Sequence, residues 1–494
     1  MSILEESTLS TVLPVMGVFN NLVIYDQHVP QNSLESIVPE LATRWSWSED
    51  GTRLTFELRK DVKWHDGKPF TARDVQCTWD MLAGKSSAKL RINPRRSWYN
   101  NLEEVTTNGD YQATFVLKRA QPALLALLAS GLAPVYSCHV PPRDMRSHPI
   151  GTGPFKFVEF KPNEGMRVTR NPDYWKPGRP YLDGIEYRII PNRSTAILAF
   201  IAGKFDMTWP FDVSIPLLKE VKSQALQAVC ERAPLNASRN LIINREVPPF
   251  GNPEIQRAMA LSLDRKAFID ILDEGEGDIG GALLPPPAGV WGLPPELLKG
   301  LPGYDPEVAK SRAEARGIME QLGYGPYNRL RVKLSVRNIP IARDPAIILS
   351  DQLKTIYIDA DLDPIETANW FPKAIRKDYV VGLNLTAGAV PIPTSNSTRT
   401  IRAAPNGTSP ATAIPSSKSS SSASRWSPTR RSAKSWCGRS TGDCNKTVPA
   451  RSSFTTVPRP AGSPTSKGSR SWSTASTTAG AWKTSGSTNN LLSA

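Results

Sequence analysis

The amino-acid composition of the chain changes abruptly near residue 390, and this change limits how much of the chain can form a folded body. From Pro391 to Ala494, 41 of the 104 residues are Ser or Thr, and 14 Lys and Arg face a single acid, Asp443. The 390 residues before it carry 46 bases and 45 acids, so they are nearly neutral. Ordering a backbone costs roughly 1 to 2 kcal/mol per residue, which this composition cannot offset, and we expect the tail to be disordered.

Two interpretations of the tail remain open. A basic arm would bind nucleic acid through its charge, with four tryptophans available for base stacking: Trp426, Trp436, Trp472 and Trp482. A shifted reading frame near residues 389 to 391 would also give a mixture rich in Ser, Thr, Arg, Pro and Ala with almost no acids. We favour the frameshift hypothesis because the change is so abrupt. Since the net positive charge lies almost entirely in the tail, it does not indicate what the near-neutral body binds.

The body is long enough to bury two or more cores. Its longest apolar run, Ala123 to Val135, has 13 residues and contains Gly131 and Pro134, which excludes a membrane-spanning helix of ~20 residues. The first six residues have neither the basic region nor the apolar core of a secretory signal. We therefore expect either a cytosolic protein or one whose leader is missing from this sequence.

The first part of the body alternates strands, turns and helices. A hairpin is predicted over 42–59, where an Asp-Gly turn separates two alternating segments, and a capping box of Thr71 and Asp74 opens a helix. Further segments with helix or strand patterns follow: strands at 111–117, 151–160, 166–170, 185–190 and 205–208, and helices at 122–130 and 194–203. The strand, helix, strand order near 185–208 indicates a parallel α/β layer.

A second α/β lobe is predicted from residue 241 onward. Apolar residues at helical spacing predict helices at 253–263, 265–272, 306–322 and 345–356. Short apolar runs predict strands at 241–243, 330–336 and 379–385.

The sequence lacks the motifs of common catalytic chemistry. Its four histidines have no one-turn spacing for a zinc site, and no Walker loop or Gly-x-Ser-x-Gly elbow occurs. Gly151-Thr-Gly153 continues into a strand, so we interpret it as a backbone corner and not as a dinucleotide fingerprint. The body cysteines, Cys77, Cys138 and Cys230, are interpreted as buried hydrophobes. We predict no enzyme, no cofactor and no metal.

Several colinear blocks between residues 19 and 388 resemble the family 5 extracellular solute-binding proteins, the dipeptide and oligopeptide type of ABC importer receptors. The blocks that carry the resemblance are Val38–Ala42, Trp45–Gly51, Leu54–Val75, Gly151–Phe155, Arg170–Trp175, Leu182–Ile185, Ala199–Asp206 and Ile255–Arg265.

The resemblance implies an α/β protein with the type II periplasmic-binding-protein fold, in which two lobes close on a solute. The implied division of the chain has four parts: a first lobe from 1–34 and 150–240, an inserted α+β subdomain at 35–149, a second lobe at 241–390, and the tail at 391–494. Both lobes are expected to be incomplete, because the family's returning C-terminal segment has no counterpart in the tail.

The resemblance also implies a function and a site. The chain is expected to be a periplasmic monomer that binds a peptide or other small solute and delivers it to the permease subunits of an ABC importer, with no nucleic-acid partner. The implied ligand-binding residues are Thr8, Trp209, Phe211, Thr386 and Ala389; Trp209 and Phe211 have ordinary lobe packing as an equal alternative. Peptide binders of the family carry an Asp at the position of Ala389, so the anchor for a peptide amino group is absent here.

Overall fold

The structure is a computed structural model, and it describes residues 2–6, 8–29, 32–209, 213–234, 237–280, 295–387, 451–456 and 492–493. Its strands are β1 (Val23–Tyr25), β2 (Ile37–Pro39), β3 (Ala42–Trp47), β4 (Arg53–Leu58), β5 (Leu102–Thr107), β6 (Gln112–Leu117), β7 (Phe155–Lys161), β8 (Gly165–Arg170), β9 (Gly184–Arg188), β10 (Val229–Pro234), β11 (Ala237–Ile243), β12 (Leu330–Arg337), β13 (Ile358–Ile365), β14 (Val381–Ala387), β15 (Arg451–Thr456) and β16 (Leu492–Ser493). Its helices are α1 (Leu9–Met16), α2 (Ala72–Ala83), α3 (Leu124–Ala129), α4 (Pro142–Met145), α5 (Arg193–Ile201), α6 (Ile215–Gln224), α7 (Pro253–Leu261), α8 (Arg265–Asp273), α9 (Pro295–Leu298), α10 (Val308–Gln321), α11 (Pro340–Lys354) and α12 (Thr367–Ile375).

The predicted N-terminal hairpin is confirmed as part of an antiparallel sheet of order β3-β4-β6-β5. Gly51 has φ 66°, as the tight turn between β3 and β4 requires. Along β4 the side chains of Leu54, Phe56 and Leu58 are buried while their neighbours are not, which is the alternation that places one sheet face on a core.

Helix α2 covers that sheet, and its start is fixed locally. The capping box predicted for Thr71 and Asp74 is present, so each side chain satisfies a backbone N–H that the helix leaves unpaired. Trp79 on its inner face is fully buried and meets the ring of Phe115 edge to face, with ring centres 4.9 Å apart. The helix therefore closes the core over β6.

Gly151 and Gly153 form the predicted corner before β7. The N–H of Gly153 donates to the carbonyl of Val18 at 2.9 Å, so two distant parts of the chain touch through their backbones. A Cβ added at Gly151 would lie 1.8 Å from that same carbonyl oxygen. Glycine is needed here because the backbones approach too closely for any side chain.

Gly151→Ala is expected to lower the free energy of unfolding by about 2 to 3 kcal/mol, because the methyl group must push the Val18 backbone away. Gly317→Ala is the matched control: Gly317 lies inside α10 with no atom within 4 Å of an added Cβ, so stability should rise slightly. Urea denaturation measures both changes. Equal stability of Gly151→Ala and the unmodified protein would contradict the close approach.

The sheet that follows the corner differs from prediction. Strands β7, β8 and β9 form an antiparallel meander, and the parallel neighbour of β9 is β16. The short strand expected at Phe205–Thr208 is wrong: the segment is irregular, with a single bridge residue at Met207. Among the described residues of this segment no regular strand pairs with β9, so the parallel layer does not form between the segments that were expected to build it.

The second α/β unit has a sheet of order β11-β14-β12-β13, in which β12 runs parallel to both of its neighbours. Helices α7, α10 and α11 enclose a separate hydrophobic core against it. The helix predicted at 345–356 begins five residues earlier in the structure, because Pro340 takes the first turn, where its missing N–H costs nothing. Strand β13 and helix α12 were not predicted.

The hydrophobic clusters relate to the predicted division as follows. One cluster contains residues between Ile3 and Tyr187 and combines the predicted first lobe with the inserted subdomain. A second contains residues between Ile243 and Leu383, and a small third lies around α5 and α6. The four boundaries given above stay a prediction.

The interpretation of the body cysteines as buried hydrophobes is wrong for two of them. Cys77 on α2 and Cys138 form a disulfide, while Cys230 is half-buried and is not part of a disulfide. The pairing was missed because the two cysteines are 61 residues apart and spacing alone does not identify partners.

Two segments of the tail are described, and both are strands: β15 pairs with β10, and β16 pairs with β9. The composition predicts disorder for the whole tail, whereas the structure has strands at Arg451–Thr456 and Leu492–Ser493. The rest of 391–494 lies outside the described residues, so disorder there and a frameshift near 389–391 stay predictions. Within the described residues, no helix has the length and apolar character needed to cross a membrane.

Candidate functional site

The three parallel strands of the second sheet end at one edge, and polar side chains collect there. β12 ends at Arg337, β13 at Ile365 and β14 at Ala387, while antiparallel β11 begins opposite the end of β14. In open α/β sheets, ligands bind outside the carboxyl ends of the strands. This edge is therefore the place to look for a solute site.

Arg337 is a cation at this edge of the sheet. Its Nη2 donates to Thr367 Oγ1 at 3.3 Å, and its guanidinium carbon lies 5.4 Å from the ring centre of Phe371. Its Nε is buried and has no hydrogen-bond partner among the described residues. Burial lowers the pKa of Arg337, although an arginine stays protonated at neutral pH. A half-buried guanidinium with no carboxylate partner among the described residues is a site that an anionic group of a ligand would stabilise.

Trp370 and Asn384 complete the group. The indole Nε1 of fully buried Trp370 donates to Asn384 Oδ1 at 3.2 Å. Parallel pairing of Val336 with Leu383 puts Asn384 beside Arg337 in the register of β12 and β14. We call Arg337, Trp370 and Asn384 the strand-end cluster. Since α12 supplies Trp370 and the two strands supply the others, the cluster sits on rigid elements.

One of the residues predicted from the resemblance, Thr386, lies at this edge of the sheet. Thr386 lies on β14, two residues beyond Asn384, with Ser238 of β11 as its partner in the register. Ala389 lies outside the described residues. A ligand-binding role for Thr386 and Ala389 stays a prediction.

The other predicted residues lie on different elements. Thr8 is the half-buried N-cap residue of α1, and its side chain makes no capping hydrogen bond. Trp209 is half-buried in the loop between α5 and α6, next to Thr208, whose buried Oγ1 has no partner among the described residues. Phe211 lies outside the described residues. Grouping of these side chains around one ligand stays a prediction.

Sequence reasoning did not identify the strand-end cluster. Arg337 directly follows the strand predicted at 330–336, and a polar residue directly after a buried parallel strand is a signal that was available. Trp370 had no such signal, because α12 contains Pro372 and was not recognised as a helix.

A comparison with protein families decides what kind of protein this is. The model of the bacterial extracellular solute-binding proteins, family 5 (middle), matches residues 36–408. The chain belongs to this family. The resemblance noted in the sequence is therefore confirmed, and the matched range ends inside the tail.

Individual proteins with similar sequences agree with this assignment to the family. The chain is 29% identical over 333 residues to heme-binding protein A of Haemophilus influenzae, which covers 62% of this chain and 56% of that protein. It is 28% identical over 333 residues to the oligopeptide-binding protein AppA of Bacillus subtilis, covering 64% and 59% of the two chains. The match spans less than two thirds of the length of these relatives.

The fold has a counterpart among solved structures. A periplasmic binding protein of Helicobacter pylori, DppA in complex with the peptide STSA, superposes with a TM-score of 0.70 at 20% identity and covers 81% of this chain and 78% of that one. The expected α/β fold of the type II periplasmic binding proteins is thereby confirmed. The comparisons give no support to the alternative of a nucleic-acid-binding protein.

Proposed function

We propose that this family 5 solute-binding protein is an extracytoplasmic receptor that holds a carboxylate-bearing solute, such as a short peptide, and delivers it to the permease subunits of an ABC importer. The observation that carries the proposal is Arg337 in the strand-end cluster, a half-buried guanidinium whose contacts among the described residues include no carboxylate. A bidentate pair with a carboxylate would use N–H groups of its planar fork.

The named relatives support the choice of ligand chemistry. One is an oligopeptide-binding protein, one is a heme-binding protein, and the solved neighbour holds the peptide STSA. Peptides and heme differ in shape, but both carry carboxylates. A carboxylate anchor on Arg337 suits either kind of solute, whereas Ala389 offers no charge to a peptide amino group.

Location outside the cytoplasm is supported by a second observation. The Cys77–Cys138 disulfide is of the kind that forms and persists in oxidising compartments such as the periplasm. We propose the periplasm as the place where this receptor works. Its binding role calls for no catalytic step.

Calorimetric titration of the full chain with Ala-Ala-Ala, its C-terminal amide and its N-acetyl form tests the proposed ligand chemistry. We expect the free acid and the N-acetyl peptide to bind with similar affinity, because neither change touches the carboxylate. The C-terminal amide should bind at least tenfold more weakly, since it cannot form the charged pair. Equal binding of acid and amide, or no binding of any of the three, would overturn the proposal for peptides.

A further inference from the structure

A cavity of about 470 Å³ lies in the N-terminal half, away from the strand-end cluster. One wall is the outer part of α2 with the loop after it, and the other is the chain from Tyr136 to Arg146, including α4. Ligand pockets typically enclose about 300 to 1,000 Å³, so the cavity has the volume of a small-molecule site.

The lining combines an apolar wall with cations. Met81, Val140 and Pro142 contribute apolar surface, and Lys89, Arg143 and Arg146 contribute positive charge. None of the described residues that line the cavity is Asp or Glu. This combination fits a ligand with an apolar body and an anionic end.

Lys89 and Arg143 remain able to meet such an anion, whereas Arg146 already pairs with the buried carboxylate of Glu5 at 3.0 Å. Lys89 is exposed and donates to the carbonyl oxygen of Gly84 at 3.4 Å, a long contact with a neutral group. Arg143 pairs with Asp144 through Nε at 3.3 Å, but its side chain is 78% exposed, so this ion pair is weak. A ligand carboxylate near Lys89 would gain a charged partner without breaking a buried ion pair.

A second observation points to a ligand at the same place. Ser137 lines the cavity and is 4% exposed, and its buried Oγ has no hydrogen-bond partner among the described residues. A buried hydroxyl without a partner costs about 1 to 3 kcal/mol. An oxygen of a bound ligand would satisfy it and remove that cost.

The two walls of the cavity are joined covalently. Cys77 from α2 and Cys138 from the opposite segment both line it, and their disulfide joins its two walls. A cavity whose walls are fixed before binding loses less conformational entropy when a ligand enters.

We infer that this cavity is a second ligand site, for an amphipathic carboxylate with a chain of roughly ten carbons, a length suited to its volume. Its carboxylate accepts a hydrogen bond from Ser137 Oγ and is stabilised by the charges of Lys89 and Arg143, and its chain lies against Met81, Val140 and Pro142. The inference is independent of the solute bound at the strand-end cluster.

Calorimetry of the full chain with decanoate tests this site, and decylamine serves as a cationic probe of equal length. Decanoate should bind, and decylamine should bind at least tenfold more weakly because two cations repel it. Ala-Ala-Ala at saturation should leave decanoate binding unchanged, which separates this site from the proposed solute site. Absence of decanoate binding, or equal affinity for decylamine, would overturn the inference.

Variants place the binding at the cavity. Lys89→Glu combined with Arg143→Glu should weaken decanoate binding by about tenfold or more, and both positions are exposed, so the fold should survive. Ala88→Trp, on the exposed rim, should have a similar effect by blocking the mouth. The matched control is Lys118→Glu, an exposed lysine outside the lining, which should leave the affinity unchanged. Binding that survives both cavity variants would assign decanoate to another place and overturn the inference.

Discussion

Arg337→Ala is expected to weaken the binding of Ala-Ala-Ala by roughly 30- to 1,000-fold. Truncating one partner of a desolvated charge pair costs about 2 to 4 kcal/mol, because the other charge is left in a poorly solvated site. The variant should also lose the preference for the free acid over the C-terminal amide. Calorimetric titration of both peptides measures the loss of affinity and the loss of discrimination.

The control for Arg337 lies at the other end of the same strand. Arg329 immediately precedes β12 and pairs with Asp359 through Nε at 2.8 Å, so Arg329→Ala removes an arginine that already has a carboxylate partner. It should leave peptide affinity unchanged. Arg337→Lys should fall between the two, because lysine keeps the charge but loses the planar fork. If Arg329→Ala and Arg337→Ala reduce affinity equally, the effect is a general change in net charge and not a contact at the strand-end cluster.

Removing the disulfide with Cys77→Ser and Cys138→Ser together is expected to lower the free energy of unfolding by about 3 to 4 kcal/mol. The link closes a loop of 61 residues, and without it the unfolded chain gains the conformational freedom that the loop had removed. Chemical denaturation of the oxidised protein and of the double variant measures the difference.

Two comparisons isolate the disulfide from the loss of a sulfur atom. Cys230→Ser changes the half-buried cysteine that is outside the disulfide and should alter stability by less than about 1 kcal/mol. A reducing agent should destabilise the unmodified protein as much as the double substitution does, and should leave the double variant unaffected. A reducing agent without effect on the unmodified protein would show that Cys77 and Cys138 are not joined.

Prediction from the sequence succeeded where the signal was local. The Asp-Gly turn and alternation around β4 and the capping box at Thr71 depend on residues within a few positions of one another, and all are confirmed. The colinear family blocks were equally accessible, since they require no knowledge of long-range contacts. These signals led to the fold and to the family.

Prediction failed where neighbours in space are distant in sequence. The parallel layer expected near β9 was wrong because strand direction depends on which segment returns to the sheet. Helix α12 was missed because proline inside a segment disfavours a helix, and this segment contains Pro372. In the structure the helix is stabilised by the packing of buried Trp370.

The sequence by itself determined the hairpin of β3 and β4, the start of α2, the near-neutral body with its basic tail, and membership of the family, because turns, caps and alternation act over a few residues. The tertiary structure alone decided the order of the strands, the pairing of Cys77 with Cys138, and the meeting of Arg337 with Thr367 and of Trp370 with Asn384. Each of these depends on packing that brings separate segments together, and packing is a property of the whole core, which no short segment specifies.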